Sequence, residues 1–145
     1  MREKMFVIKS RPENLKPLRG KISAFLKKSG LSAKDENEAL VCVIEACTNS
    51  IRHAYGNKAG KEVRVTIRDE KDRIIFRIRD YGKKIDLSKI PEPVLPPVNP
   101  GGLGIYFMKT FMDEMQYNTQ HAKGTELILT KHKKSKVSQR KRDVS

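Results

Sequence analysis

Glu45, Asn49 and His53 stand four residues apart, a spacing that stacks a carboxylate, a carboxamide and an imidazole along one side of a helix. On the same helix Leu40, Val43, Ile44, Cys47, Ile51 and Ala54 fall within about 100° of arc on the other side, so the polar stripe faces away from the core. Periodicity alone does not say whether that stripe meets water or a ligand. Three further segments bear on the question. Asp80-Tyr81-Gly82 closes an alternating strand, where a carboxylate can accept a hydrogen bond from an exocyclic amine and a glycine permits a tight turn. Asn99-Pro100-Gly101-Gly102-Leu103-Gly104-Ile105 runs glycines into a helical pattern. Free N–H groups at such a junction make a seat for phosphate, although the same run also suits a plain hinge and helix start. Gly124-Thr125 opens the last strand and is uninformative when read alone.

These segments need elements to carry them. Met5 to Lys9 reads as a first strand, and Leu15, Leu18, Ile22, Phe25 and Leu26 recur at helical spacing until Gly30. Ser32-Ala33-Lys34-Asp35 is a capping-box pattern opening a longer helix that is predicted to run to about Tyr55 and stop at Gly56. Val63, Val65 and Ile67, then Ile74, Phe76 and Ile78, alternate on either side of Asp69-Glu70-Lys71-Asp72, which predicts an antiparallel hairpin. Five prolines between Lys83 and Pro100 exclude helix and inner strand and leave a long loop. A helix from Leu103 to about Asp113, a strand at Met115 to Thr119, a turn at Ala122-Lys123-Gly124 and a strand at Thr125 to Thr130 complete the chain. The expected fold class is α+β: a two-layer sandwich with helices on one face of a mixed, mainly antiparallel sheet.

A length of 145 residues suits one domain, expected over residues 1–131. The net charge is +14, and Lys131, Lys133, Lys134, Lys136, Arg140, Lys141 and Arg142 against Asp143 supply +6 of it. Residues 132–145 are therefore expected to form a basic, disordered tail. A charge run without interleaved aromatics argues against nucleic acid as the partner. No stretch reaches the ~20 apolar residues of a membrane span, so the expected location is cytoplasmic and no membrane is involved. Cys42 and Cys47, five residues apart on one helix, point about 140° apart and are expected to be buried, inert thiols.

In this order and spacing, residues 40 to 130 resemble the nucleotide-binding boxes of the GHKL (histidine-kinase-like) ATPases of the Bergerat type. Glu45-Ala46-Cys47-Thr48-Asn49-Ser50-Ile51-Arg52-His53-Ala54-Tyr55 is similar to the N-box of the anti-sigma factor serine/threonine-protein kinases. Asp80-Tyr81-Gly82 resembles the first glycine box, Gly101 to Ile105 the second and Gly124-Thr125 the last, with the proline-rich segment as the ATP lid. The resemblance implies ATP and Mg²⁺ as cofactors. Asn49 would be the metal ligand. Asp80 would read the adenine amine beside Gly82, Thr125 would help hold the base, and His53, Gly101, Gly102, Leu103, Gly104 and Ile105 would complete the nucleotide site. Glu45 would be the catalytic residue that orients or deprotonates the attacking hydroxyl.

The implied activity is transfer of the γ-phosphate to a serine of an anti-sigma factor antagonist, together with sequestration of a sigma factor, by a homodimer. None of the roughly 40 residues before Glu45 is a histidine, so no phosphoacceptor of the histidine-kinase kind is visible. Two departures from the resemblance stand out. Lys84 occupies the place of a second glycine, and no arginine occurs between Lys83 and Pro100. Lys83, Lys84 or Lys89 would have to serve in its stead, and lysine lacks arginine's forked geometry. A catalytically weak, ATP-gated protein-binding module therefore stands as the alternative.

Overall fold

The computed structural model describes residues 1–86, 88 and 103–134, with only the backbone of residue 103. Most of the predicted lid, Gly101, Gly102 and the end of the basic segment lie outside the described residues. The chain runs β1 (Arg2–Lys9), a 3-10 turn (Pro12–Asn14), α1 (Leu15–Leu26), α2 (Ala33–Asn49), a π-helical turn (Ser50–Ala54), β2 (Glu62–Asp69), β3 (Arg73–Asp80), α3 (Leu103–Phe111), β4 (Glu114–Asn118) and β5 (Glu126–His132). The sheet order is β1-β2-β3-β5-β4, and each of the four pairings is antiparallel. The expected mixed sheet thus contains no parallel pair among the described residues, because both hairpins and the joins between them bring neighbouring strands in with opposite sense.

Strand alternation assigns the faces. Val63, Val65 and Ile67 of β2, Ile74, Phe76 and Ile78 of β3, and Leu127 and Leu129 of β5 are all buried beneath the helices, and each large apolar side chain so removed from water contributes ~1.5–3 kcal/mol. α2 crosses β3 and β5 and is flanked by α1 and α3. Leu40, Val43, Cys47 and Ile51 are buried as their spacing predicts. Cys42 and Cys47 are free, and burial pushes both thiols up to about 12; they stay protonated and unreactive.

The start of α2 shows how tertiary partners modify a local motif. Ser32 Oγ accepts from Asp35 N at 3.1 Å, the first half of the capping box. The returning half is missing because the buried Asp35 carboxylate pairs instead with Lys131 (3.7 Å) and Lys134 (3.4 Å). Lys131, itself buried on β5, also holds Glu38 at 3.2 Å and donates to the carbonyl of Phe111 at the end of α3. A second buried carboxylate, Asp69, takes Arg2 at 2.9 Å and Lys133 at 2.6 Å. The first residues of the basic segment, Lys131 to Lys134, are consequently bound into the fold, and residues 135–145 lie outside the described residues.

Lys131 joins α2, α3 and β5 through one ammonium. Removing one member of a buried ionic cluster strands the others, at a cost of ~3–5 kcal/mol. Lys131→Met is expected to lower unfolding stability by about 3 kcal/mol in urea titration; a change below about 1 kcal/mol would show that the cluster does not tie these elements together.

Candidate active site

α2 does not finish as an α-helix. Tyr55 N donates to Ser50 O at 3.1 Å, five residues back, and the last turn widens into a π turn; such turns often mark functional positions. The widened turn brings the carbonyl of Ala54 against the segment that leaves β3, where Lys83 N donates to it at 2.8 Å. Gly82 lies so close that a Cβ there would sit 2.3 Å from Ala54 O and 2.9 Å from the Tyr55 ring. Tyr55 closes the joint: its hydroxyl donates to Glu62 O at 2.5 Å and accepts from Tyr81 N at 2.7 Å.

This joint fixes Asp80, which is buried at the end of β3. Its Oδ2 accepts from Ser50 Oγ at 3.1 Å and its Oδ1 from Gly82 N at 3.2 Å. Its backbone exchanges bonds with Thr125, Asp80 N to Thr125 O at 3.0 Å and Thr125 N to Asp80 O at 3.3 Å. That exchange requires Gly124, whose φ is +75° and whose Cβ would lie 2.1 Å from Asp80 O. Arg79, stacked 4.3 Å above the Tyr81 ring, braces the turn from outside by donating to the carbonyls of Asp80 and Lys123. Burial raises the Asp80 carboxyl above its ordinary value; donors from Gly82, Ser50 and Thr125 and the charge of Arg79 offset this only in part.

A cavity of about 560 Å³ opens in front of Asp80. Asn49, Ser50 and His53 from the long helix, Ile105 from α3 and Thr125 just before β5 line it, and Lys83 and Lys84 stand at its mouth. Thr125 Oγ1 accepts from Ile85 N at 3.1 Å, which draws the start of the long loop over the base of the cavity. The Lys84 ammonium is engaged there, donating to Thr119 O at 3.0 Å. His53 is exposed at the rim.

At Glu45 and Asn49 the polar stripe on α2 is half-buried against α3, while His53 stays exposed. A Cβ on buried Gly104 would stand 3.3 Å from Glu45 Oε2 and 3.4 Å from Asn49 Nδ2. The first turn of α3 thus lies close to both groups, and a side chain there would press on them. Asn49, Ile105, Asp80 and Thr125 share the cavity, whereas Glu45 and Gly104 lie next to Asn49 but outside the lining. Gly82 stands apart from the cavity lining and serves to seat Asp80. No cluster of three or more His, Cys, Asp or Glu suited to a metal occurs among the described residues. The oxygen donors of Asn49 and Glu45 fit a cation that takes most of its ligands from water and phosphate, as Mg²⁺ does.

Two contributors escaped the sequence reading. Ser50, next to Asn49, is set on the flank of the helix wheel, and only the position of β3 reveals that its hydroxyl meets Asp80. Tyr55 reads as the end of the predicted helix, and its hydroxyl bonds depend on where Glu62 and Tyr81 fall in space.

A raised Asp80 carboxyl has two signed consequences. The folded value exceeds the unfolded one, so its ionisation costs stability as pH rises through the folded value, a cost absent below the unfolded value. A ligand amine that needs the ionised acceptor binds more weakly as pH falls through that same raised value. Ser50→Ala removes one donor to the charged form. It is expected to weaken nucleotide affinity roughly tenfold and to move the acid limb of a binding–pH profile to higher pH, with Ser50→Thr restoring both. An unmoved acid limb in Ser50→Ala would show that the hydroxyl does not hold the carboxylate.

Residues 8–131 match the family model described as the histidine kinase-like ATPase domain. The serine-protein kinase RsbW of Bacillus licheniformis is 32% identical over 130 residues, covering 84% of this chain and 80% of the relative. An anti-sigma F factor of Clostridium beijerinckii is 30% identical over 126 residues, covering 84% and 88%. Among solved structures, the RsbU and RsbW domains of a Mycobacterium tuberculosis protein superpose with a TM-score of 0.66 at 12% identity, over 93% of this chain and 33% of that one, a likeness of fold. With an N-box helix, a strand-end carboxylate and a glycine-led helix gathered around one cavity, this chain belongs to the histidine kinase-like ATPase family and, within it, to the serine-protein kinases and anti-sigma factors of the RsbW kind.

Proposed function

We propose that the protein is an ATP-dependent serine-protein kinase that also acts as an anti-sigma factor. The observation that carries the catalytic part is the closeness of Gly104, in the first turn of α3, to Glu45 and to Asn49, the latter lining the same cavity as Asp80. On this reading Asp80 accepts from the adenine amine and Thr125 supports the base. The N–H groups at the start of α3, with Gly101 and Gly102 before it, receive the phosphates. Asn49 would supply an oxygen to Mg²⁺, which when bound would offset the charge on the phosphate oxygens. Glu45 accepts the proton of a substrate serine as its oxygen bonds to the γ-phosphorus and the bond to the departing ADP breaks. Lys83, exposed at the mouth, is the described lysine available to face the γ-phosphate, since Lys84 is engaged with Thr119.

The substrate on this reading is a serine of an anti-sigma factor antagonist, and the sequestered partner is a sigma factor, in the cytoplasm. Homodimerisation follows from the same resemblance. The relatives' names, serine-protein kinase and anti-sigma F factor, support both halves of the reading.

One observation favours a second reading, an ATP-gated binding module with little turnover: the segment from Lys83 to Pro100 holds no arginine, and one of its lysines is tied down. The two readings separate in one experiment. With labelled ATP and the antagonist protein, Glu45→Ala is expected to reduce phosphoryl transfer by roughly 10²–10⁴-fold while ATP binding persists. Equal transfer by wild type and variant would remove Glu45 from the chemistry, and no transfer by wild type despite tight, Mg²⁺-dependent ATP binding would select the gated module.

A further inference from the structure

Tyr117 of β4 is part of the wall of the nucleotide cavity. It pairs with Leu127 of β5, which pairs in turn with Ile78 of β3, so the three stand in one row across the sheet. Ile78 and Leu127 are buried beneath the helices, and Tyr117, half-buried, packs against the same core. Asp80 lies on this face two residues beyond Ile78. Tyr117 therefore stands two strands across (~10 Å) and two residues along (~7 Å) from Asp80. Both residues line the one cavity, which spans the distance between them.

Tyr55 and Tyr117 use their hydroxyls differently. That of Tyr55 donates to Glu62 O and accepts from Tyr81 N. That of Tyr117 has no hydrogen-bond partner among the described residues, although a tyrosine packed into a core usually finds one. No fully buried side-chain N or O atom among those residues lacks a partner, so this hydroxyl reaches open space, and the cavity is the open space that Tyr117 lines. Burial raises the phenol above its ordinary value, so it stays neutral and keeps a proton to donate. Ile78, Leu127 and Ile105 of the same lining are hydrocarbon. Of the polar groups that the loop after Gly82 adds to it, Lys84 donates to Thr119 and Asp86 accepts from Ser88.

We propose that Tyr117 is a specificity-determining residue for the nucleotide, its hydroxyl donating to a ring nitrogen of the purine on the edge turned away from Asp80. The inference rests on the ATP reading and deepens it. A base whose amine sits on Asp80 turns its far edge toward the Ile78–Leu127–Tyr117 row, and a ring nitrogen buried there without a donor would be costly. The carboxylate alone does not separate adenine from cytosine, since both carry an exocyclic amine beside a ring nitrogen. A donor two strands away does, because the smaller ring of cytosine does not span the same distance. Asp80 thus selects an amine, and Tyr117 selects a base long enough to reach a second donor. A site that requires a matched hydrogen bond rejects the analogue lacking it more strongly than an apolar wall does.

Titration of the full chain and of Tyr117→Phe with ATP, 3-deaza-ATP, 7-deaza-ATP and CTP, each with Mg²⁺, tests the proposal. Phenylalanine keeps the ring, so thermal unfolding should stay at the wild-type temperature. The substitution is expected to weaken ATP about fivefold and to leave CTP unchanged. One of the two deaza analogues, the one lacking the nitrogen that the hydroxyl meets, should bind wild type about as weakly as ATP binds the variant, with no further loss in the variant. Equal ATP affinity in wild type and variant would overturn the proposal. So would a loss of the same size for ATP, CTP and both analogues, which would assign the hydroxyl to a contact outside the base. An ATP affinity that depends on Asp80 but not on Tyr117 would remove this inference alone, whereas a wild type that binds no ATP would remove the ATP reading with it.

Discussion

A carboxylate buried at a strand end is costly unless donors reach both of its oxygens, and at Asp80 they reach it because two backbones approach where no side chain fits. Gly82 rests on the carbonyl of Ala54, and Gly124 rests on the carbonyl of Asp80 itself. Through the first contact the π turn brings Ser50 to one oxygen, and through the short turn at Gly82 a main-chain N–H reaches the other. Through the second, Thr125 is bonded to the strand end and its hydroxyl remains turned toward the cavity loop. The cavity exists because these approaches hold the end of α2, the end of β3 and the start of β5 at one point.

The opposite end of the site obeys the same steric logic with different elements. Gly104 lets α3 settle on Glu45 and Asn49, and the far end of that helix is held by the buried ammonium of Lys131, which also holds the start of α2. α3 is thus secured at its far end by charge and lies close to Glu45 and Asn49 at its start. The segment between β3 and α3 is where this chain departs from the resemblance, with Lys84 in the place of a glycine and no arginine.

Element existence was legible in residue order because both periodicities are strong. Val63 to Ile67 and Ile74 to Ile78 alternate without interruption, and the α2 stripe from Leu40 to Ile51 keeps its helical phase; all lie within the elements expected of them. The spacing of the boxes allowed Asn49, Asp80, Ile105 and Thr125 to be named before their convergence on one cavity was visible. What was not legible depends on partners distant in sequence. The π turn leaves no mark on a helix wheel. The roles of Ser50 and Tyr55 need β3 in place. Asp35 reads as part of a capping box until Lys131 and Lys134 arrive from the other end of the chain to claim its carboxylate, and Lys133 and Lys134 read as part of a disordered tail until they pair with Asp69 and Asp35.

The account stands on Asp80 as an ionised acceptor that recognises an amine on the nucleotide base. Calorimetric titration of ATP into wild type and Asp80→Asn tests it directly, since the substitution preserves shape and removes the charge. At least a tenfold loss of ATP affinity in the variant, with its thermal unfolding kept close to wild type, is the predicted result. Equal ATP affinity in the two proteins would contradict it.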